Sequence, residues 1–218
     1  MGFPGGLILK KTVQIPEDYI AYWPFNGNAN DESGNGHNGT VVGAALVNGR
    51  KGKSNGAYFF DGINDYITVP SFSRGARGFT ISTWIKEDGQ ALNSRVMGQY
   101  GTEYTFQLIN NSATPQTFLS LYLETGIINI VYPVSLNVDW NHIVITTTGI
   151  IAENIYMYIN GVLVKTEQLT DNAKNIAGNF VYGRNPQGNF QYWRGSIDDT
   201  RYYNRRLTAA EINALYNE

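Results

Sequence analysis

No cysteine occurs among the 218 residues, and there are only two histidines, His37 and His142. A disulfide framework and a thiolate metal centre are thereby excluded, and too little imidazole remains for a zinc site. Long apolar runs are missing too. The stretch Leu7 to Leu9 in MGFPGGLILKKTVQIPEDY is far too short for a membrane span or for the apolar part of a secretion signal. Met1-Gly2 opens like a myristoylation pattern, but Gly6 stands where that pattern needs Ser or Thr. Charge of one sign is scarce: 16 Lys and Arg against 18 Asp and Glu leave a net charge of −2. No broad basic field exists to neutralise phosphates, so neither nucleic acid nor membrane insertion is expected.

What is present suits a β protein. Hydrophobic residues make up 42% and aromatic residues 13%, enough for a sizeable core, and 24 Gly against 7 Pro fit short strands joined by tight turns. Residues 1–18 read as an N-terminal arm or tether, and residues 19–218 as one domain, since nothing within them resembles a linker. About a dozen short runs rich in β-branched and aromatic residues alternate with Gly, Asn and Asp clusters, among them AYFF at 57–60, FTISTWIK at 79–86, HIVITTT at 142–148 and TRYYN at 200–204. In FTISTWIK, Phe79, Ile81, Thr83 and Ile85 alternate with Thr80, Ser82, Trp84 and Lys86, which predicts one face more buried than the other. Asn160-Gly161 between IYMYI and VLVKT predicts a type I′ hairpin, because both residues tolerate positive φ. One helix is expected, at the C-terminus: Thr208 and Glu211 form a capping box, and the helix is expected to dock at the sandwich edge.

Five strings occur in order: AYWPFNGNANDESGNGHNGT, AYFFDGINDYITV, FTISTWIK, WNHIVITTTG with IYMYINGVLV, and GSIDDTRYYNRRLTAAEINALYN. They resemble the signature of bacterial and viral laminin G-like domains of concanavalin A-like type, a match read over residues 19 to 217. The resemblance implies an all-β, two-sheet antiparallel jelly-roll sandwich and often a bound calcium. It carries function less securely than fold.

Calcium requires six to eight oxygen ligands, which carboxylates and amides in Gly-Asn loops supply. The preferred constellation is Asn26, Asp31, Ser33 and Asn35 with Asp198 or Asp199, which the implied fold brings beside the N-terminal strand. Asp61, Asn64 and Asp65 in DGINDY form a second. Against both stands the ordinary use of Asp and Asn in Gly-rich turns, which is to satisfy their own backbone amides. For a sugar, the candidates are loop aromatics with amide and guanidinium neighbours: Tyr100, Tyr104, Asn110, Asn111, Arg184, Asn185, Gln187, Phe190, Tyr192 and Trp193. RNPQGNFQYWRG is the strongest segment, because Pro, Gly and Asn mark a loop that displays aromatics.

Catalytic signals are weak. Gly52-Lys53-Ser54-Asn55-Gly56 fits G-x-S-x-G, but it lies in a basic Gly-rich loop before a strand and not on a strand-to-helix elbow. A phosphate-binding loop fails because Val47 stands five positions before Gly52. Glucanases of the resembled fold carry carboxylates as E-x-D-x-x-E along one strand, a string this sequence lacks. Glu103 and Glu124 are the weakest surviving pair. The sequence therefore points to a non-catalytic module that binds a glycan or cell-surface polysaccharide. The alternative is a virion protein, a capsid decoration or fibre subunit attached to a capsid or tail partner through residues 1–18. Both place the chain on a virion surface or outside the cell.

Overall fold

A computed structural model describes residues 13–73, 78–89, 94–100, 105–111, 117–123, 128–134, 139–150, 152–169 and 177–218. Its elements in chain order are β1 (Ala21–Trp23), β2 (Thr40–Val42), β3 (Ala45–Val47), β4 (Ala57–Asp61), β5 (Tyr66–Ser73), β6 (Phe79–Glu87), β7 (Ser94–Tyr100) and β8 (Thr105–Asn111). They continue with β9 (Thr117–Leu123), β10 (Ile128–Val134), β11 (Asn141–Thr147), β12 (Asn154–Ile159), β13 (Val162–Gln168), β14 (Ala177–Tyr182), β15 (Arg194–Tyr203) and α1 (Ala209–Tyr216). One sheet runs β13-β12-β11-β6-β15-β4-β3, with β1 also pairing β15. The other runs β10-β9-β8-β7-β14-β5-β2. Every pairing is antiparallel. The expected jelly-roll sandwich is the observed fold.

The core joins Ile81, Ile85, Ile143, Ile145, Ile197 and Tyr202 of the first sheet to Ile67, Val69, Phe72, Met97, Phe180 and Tyr182 of the second. Trp23 lies at its centre, stacked on Phe180 at 5.7 Å, and its indole N–H donates to the His37 carbonyl at 2.8 Å. Its polar edge is therefore satisfied while the ring is fully buried.

The predicted alternation in β6 is real, but both faces are buried. Phe79, Ile81 and Ile85 enter the core. On the opposite face, the Thr80 hydroxyl meets Thr146 and accepts the Leu207 amide, Ser82 bonds His142, and Trp84 stacks on His142 and Tyr216. The cover is α1. Ile212 and Leu215 pack with Val144, Tyr158, Tyr203 and Leu207 into a second cluster on the outside of the first sheet. The helix thus docks on a sheet face, not at the sandwich edge. Its capping box is as expected, with the Thr208 hydroxyl accepting from the Glu211 amide and the Glu211 carboxylate accepting from the Thr208 amide. Asn160 and Gly161 take φ of 51° and 76°, as a type I′ turn demands.

Part of the segment read as an arm belongs to this outer layer. Ile15 and Tyr19 pack against the second cluster, the Tyr203 hydroxyl donates to the Pro16 carbonyl at 3.0 Å, and Arg205 bridges Asp18 and Glu211. Residues 1–12 lie outside the described residues.

Candidate functional site

An irregularity in β15 builds a cluster of buried charges. Asp198 pairs with Trp84 and Arg201 with Ser82, so three steps along β15 match two along β6. Asp199 adopts φ 45°, the left-handed conformation that Asp tolerates better than most residues. The extra residue resets the alternation. Ile197 and Tyr202 face the core and the Thr200 hydroxyl meets that of Thr83 at 2.8 Å, while Asp198, Asp199 and Arg201 share the outer face. Here, too, the neighbour of β15 changes from β4, paired through Ile197, to β1, paired from Thr200.

These charges neutralise one another. Arg201 lies 3.2 Å from Asp199 Oδ1 and 2.7 Å from Glu218, donates to the Tyr22 hydroxyl at 3.2 Å, and stacks over the Tyr22 ring at 4.6 Å. Arg50 bonds Asp199 Oδ2 at 2.9 Å and stacks over Trp84 at 4.5 Å. The Arg50 backbone N–H donates to Asp198 Oδ2 at 2.9 Å. A cavity of about 210 Å³ opens beside this network, lined among others by Asn26, Arg50, Lys51, Lys53, Asp198 and Asp199.

Burial pushes the Asp198 carboxyl up to about 6, the adjacent Asp199 charge adds to this, and the Arg50 amide only partly offsets it. A raised carboxyl pKa means that the folded state binds the extra proton. This group therefore lowers stability fully above pH 6, and the penalty fades as pH falls through 6 toward the unfolded value. Asp198→Asn is expected to raise the melting temperature at pH 7.5 by a few degrees and to flatten the pH profile between roughly 4 and 6. Thermal melts across that range check it, and an unchanged profile would contradict it.

Asn26, Asp198 and Asp199 thus share one cavity, whereas Asp31 does not line it. Each Asp31 oxygen takes two donors: Oδ1 those of the Tyr22 and Ser33 amides, Oδ2 those of the His37 amide and the Ser33 hydroxyl. Burial opposes ionisation of Asp31, but these bonds outweigh it and hold the carboxyl below its usual range. The Ser33 hydroxyl also meets the Ile20 carbonyl, and the Asn35 side-chain amide donates to that same carbonyl, so both residues fasten the loop to the chain ahead of β1. A carboxylate with four donors has no lone pair left for a cation, and Asp199 faces two guanidinium groups. This donor set does not fit calcium. In the second constellation, Asp61 Oδ1 accepts the Ile63 and Asn64 amides, and Asp65 Oδ2 accepts the Asp61 amide, a turn satisfying itself. Among the described residues no group of three or more His, Asp or Glu side chains is placed to hold a metal.

The segment between β14 and β15 forms a closed loop whose ends meet where the Trp193 amide donates to the Gly183 carbonyl at 2.8 Å. Gly183 takes φ 85°, and an added Cβ would collide with the Phe60 ring, so only glycine fits at this turn. Asn185 is 3% exposed: its carboxamide donates to Gln191 Oε1 and accepts the Gln187 amide. Trp193 is 0% exposed. Both were expected to touch ligand, and both are corrected, because Asn185 is a loop brace and Trp193 a core residue. Arg184 bonds the Asn185 and Gly188 carbonyls and lies over the Tyr66 ring at 4.3 Å. What the loop offers to solvent is Phe190, 46% exposed, with Gln187 and Asn189 exposed and Tyr192 half-buried beside it. The turn 61–65, whose Gly62 abuts Arg194, presents Ile63 at 72% exposure. Tyr66, Ile63 and Gln191 had not been singled out in sequence; the turn signal around DGIND was the available clue. Glu103, Tyr104 and Glu124 lie outside the described residues, as do the side chains of Tyr100, Asn110 and Asn111.

A family model of the concanavalin A-like lectin/glucanases superfamily matches residues 60–213. The chain belongs to this superfamily. No curated protein sequence matches the chain. Among solved structures, domain 4 of AbnA, an extracellular arabinanase from Geobacillus stearothermophilus solved with arabinotriose, is similar with a TM-score of 0.73 at 19% identity, covering 91% of this chain and 98% of that one. The botulinum neurotoxin serotype D binding domain has a TM-score of 0.71 at 17% identity over 92% of this chain, and the serotype G binding domain 0.66 at 19% over 91%. This superfamily member spans about half the length of those two toxin chains, 51% and 50%. At such identities the likeness is one of fold.

His142 shows how this superfamily member uses its one buried imidazole. Burial drives its pKa down to about 3, with Arg50 and Arg201 adding to the effect, and Nε2 lies 2.7 Å from the Ser82 hydroxyl beneath Trp84 and Tyr216. It is neutral packing beneath α1. His37 is a loop residue stacked on Phe72 at 4.7 Å. The Ser82–His142 pair is closed off from solvent, at 2% and 1% exposure.

Proposed function

We propose that this chain is a non-catalytic module that binds glycan through the end of the sandwich formed by the β14–β15 loop and the β4–β5 turn. The observation that carries this reading is Phe190, a large apolar ring held in solvent by a loop that is braced at every turn. An exposed aromatic face suits the apolar side of a sugar ring, while Arg184, Gln187 and Asn189 supply donors and acceptors for hydroxyls. The internal bracing means that little ordering remains to oppose binding. The arabinotriose complex of AbnA domain 4 supports the ligand class, and the binding domains of the toxins support a binding role. Tyr100, Tyr104 and Tyr192 remain proposed contacts, Tyr192 by its place in the same loop. The isolated chain is expected to retain at least one neutral oligosaccharide on a glycan array that includes arabino-oligosaccharides. An array with no retained glycan would contradict the proposal.

The second reading is a virion decoration or fibre subunit, on a virion surface or otherwise outside the cell, held to a capsid or tail partner. It is favoured by the packing of residues 15–18 on the domain, which would leave residues 1–12 to carry the attachment.

A further inference from the structure

We propose that the cavity beside the β15 bulge is a second binding pocket, for a single sugar ring that bears a carboxylate, such as a uronic acid residue of an acidic glycan. The class of ligand rests on the glycan-binding reading. The place does not, because Asp198 lies four residues along β15 from Arg194 at the loop end, about 13 Å away at strand rise.

The cavity has two electrically distinct walls. Its floor is the carboxylates of Asp198 and Asp199, 6% and 9% exposed; Asp198 takes the Arg50 amide on Oδ2, and Asp199 pairs with Arg201 through Oδ1 and with Arg50 through Oδ2. Its rim is the loop from Gly49 to Gly56. A Cβ at Gly49 would sit 3.0 Å from Asp198 Oδ2 and 2.8 Å from the Gly56 carbonyl, so glycine there lets the loop close down on the floor. The loop brings Lys51 and Lys53 to the opening, both exposed and neither in an ion pair among the described residues. Asn26 adds an exposed carboxamide.

A bare anion drawn to the lysines would meet two carboxylates, and a bare cation drawn to the carboxylates would meet Arg50 and two lysines. A ring whose hydroxyls donate to the floor while its carboxylate reaches the rim satisfies both walls. The volume of about 210 Å³ matches a small ligand, below the range of about 300–1,000 Å³ typical of larger ligand sites.

The test is titration of the full chain with sodium glucuronate, followed by ligand-observed NMR, with glucose, sodium sulfate and calcium chloride as comparisons. Glucuronate is expected to saturate, with glucose, sulfate and calcium each about tenfold weaker or more. The Lys51→Ala/Lys53→Ala double variant is expected to lose about tenfold in glucuronate affinity at an unchanged melting temperature, and added salt is expected to weaken wild-type binding. No saturation by glucuronate, equal affinity in the double variant, or sulfate binding as tightly as glucuronate would overturn the pocket. Saturable glucuronate binding that survives Phe190→Ala supports it. So does the same binding in a chain that retains no neutral glycan on the array, a result that would remove only the loop reading.

Discussion

Arg201→Ala is expected to lower folding stability by about 3–5 kcal/mol, among the largest losses any single surface-layer change here would cause. Arg201 is 4% exposed, and its removal leaves Asp199 and Glu218 to share Arg50 as counter-charge and the Tyr22 hydroxyl without its donor. Burial alone would make this guanidinium easier to deprotonate, yet Asp199, Glu218 and Tyr22 raise its pKa further above the usual value. The same surroundings push Tyr22 up to about 12, chiefly through burial and then through Asp199. The cost of the substitution is mostly that of two carboxylates left with one guanidinium between them in a place that water reaches poorly. Replacing Arg201 with Met together with Asp199→Asn should therefore lose less than the two single changes summed, a coupling that a double-mutant cycle in urea measures. Additive losses, or a loss under about 1 kcal/mol for Arg201→Ala, would contradict a network acting as a unit.

Trp193→Ala is expected to cost a similar amount, about 3–5 kcal/mol, by opening a cavity in the main core. The residue closes the β14–β15 loop through its backbone and fills the interior through its ring, which an added Cβ at Gly195 would strike. If Trp193 were instead a ligand contact, as its place in RNPQGNFQYWRG implied, alanine would leave the melting temperature intact and remove binding alone. Chemical denaturation of the variant separates the two.

The fold was legible because its signals are redundant. Alternating β-branched runs, Asn160-Gly161 and the Thr208 capping box each pointed to an element that exists. Three strands were not. β2 and β3 have three residues each, too few to show a period, and β7 reads SRVMGQY, with a single β-branched residue whose pairing is imposed by β14 and β8. The start of β15 was hidden for another reason. RGSIDD lacks apolar alternation because a bulge sends consecutive charged residues to one face, where the Arg50 loop and Glu218 meet them.

The same bulge explains why the charge balance at this site was not legible in the sequence. Asp198 and Asp199 do lie beside Asn26, but sequence cannot show that Arg50, 148 residues earlier, supplies the opposing charge. In RNPQGNFQYWRG the loop was visible from its Pro, Gly and Asn, whereas the division of labour within it was not. Phe190 and Trp193 are both aromatic and three residues apart, and only the closure of the loop through Gly183 puts one outside and the other inside.

That division supplies the decisive measurement, the affinity of Phe190→Ala for the neutral oligosaccharide that wild type retains, determined by calorimetric titration with the melting temperature recorded alongside. The loop-end site predicts a loss of about tenfold or more, since removing an exposed stacking ring forfeits on the order of 1–3 kcal/mol, with melting unchanged. Wild-type affinity in a folded Phe190→Ala would contradict it.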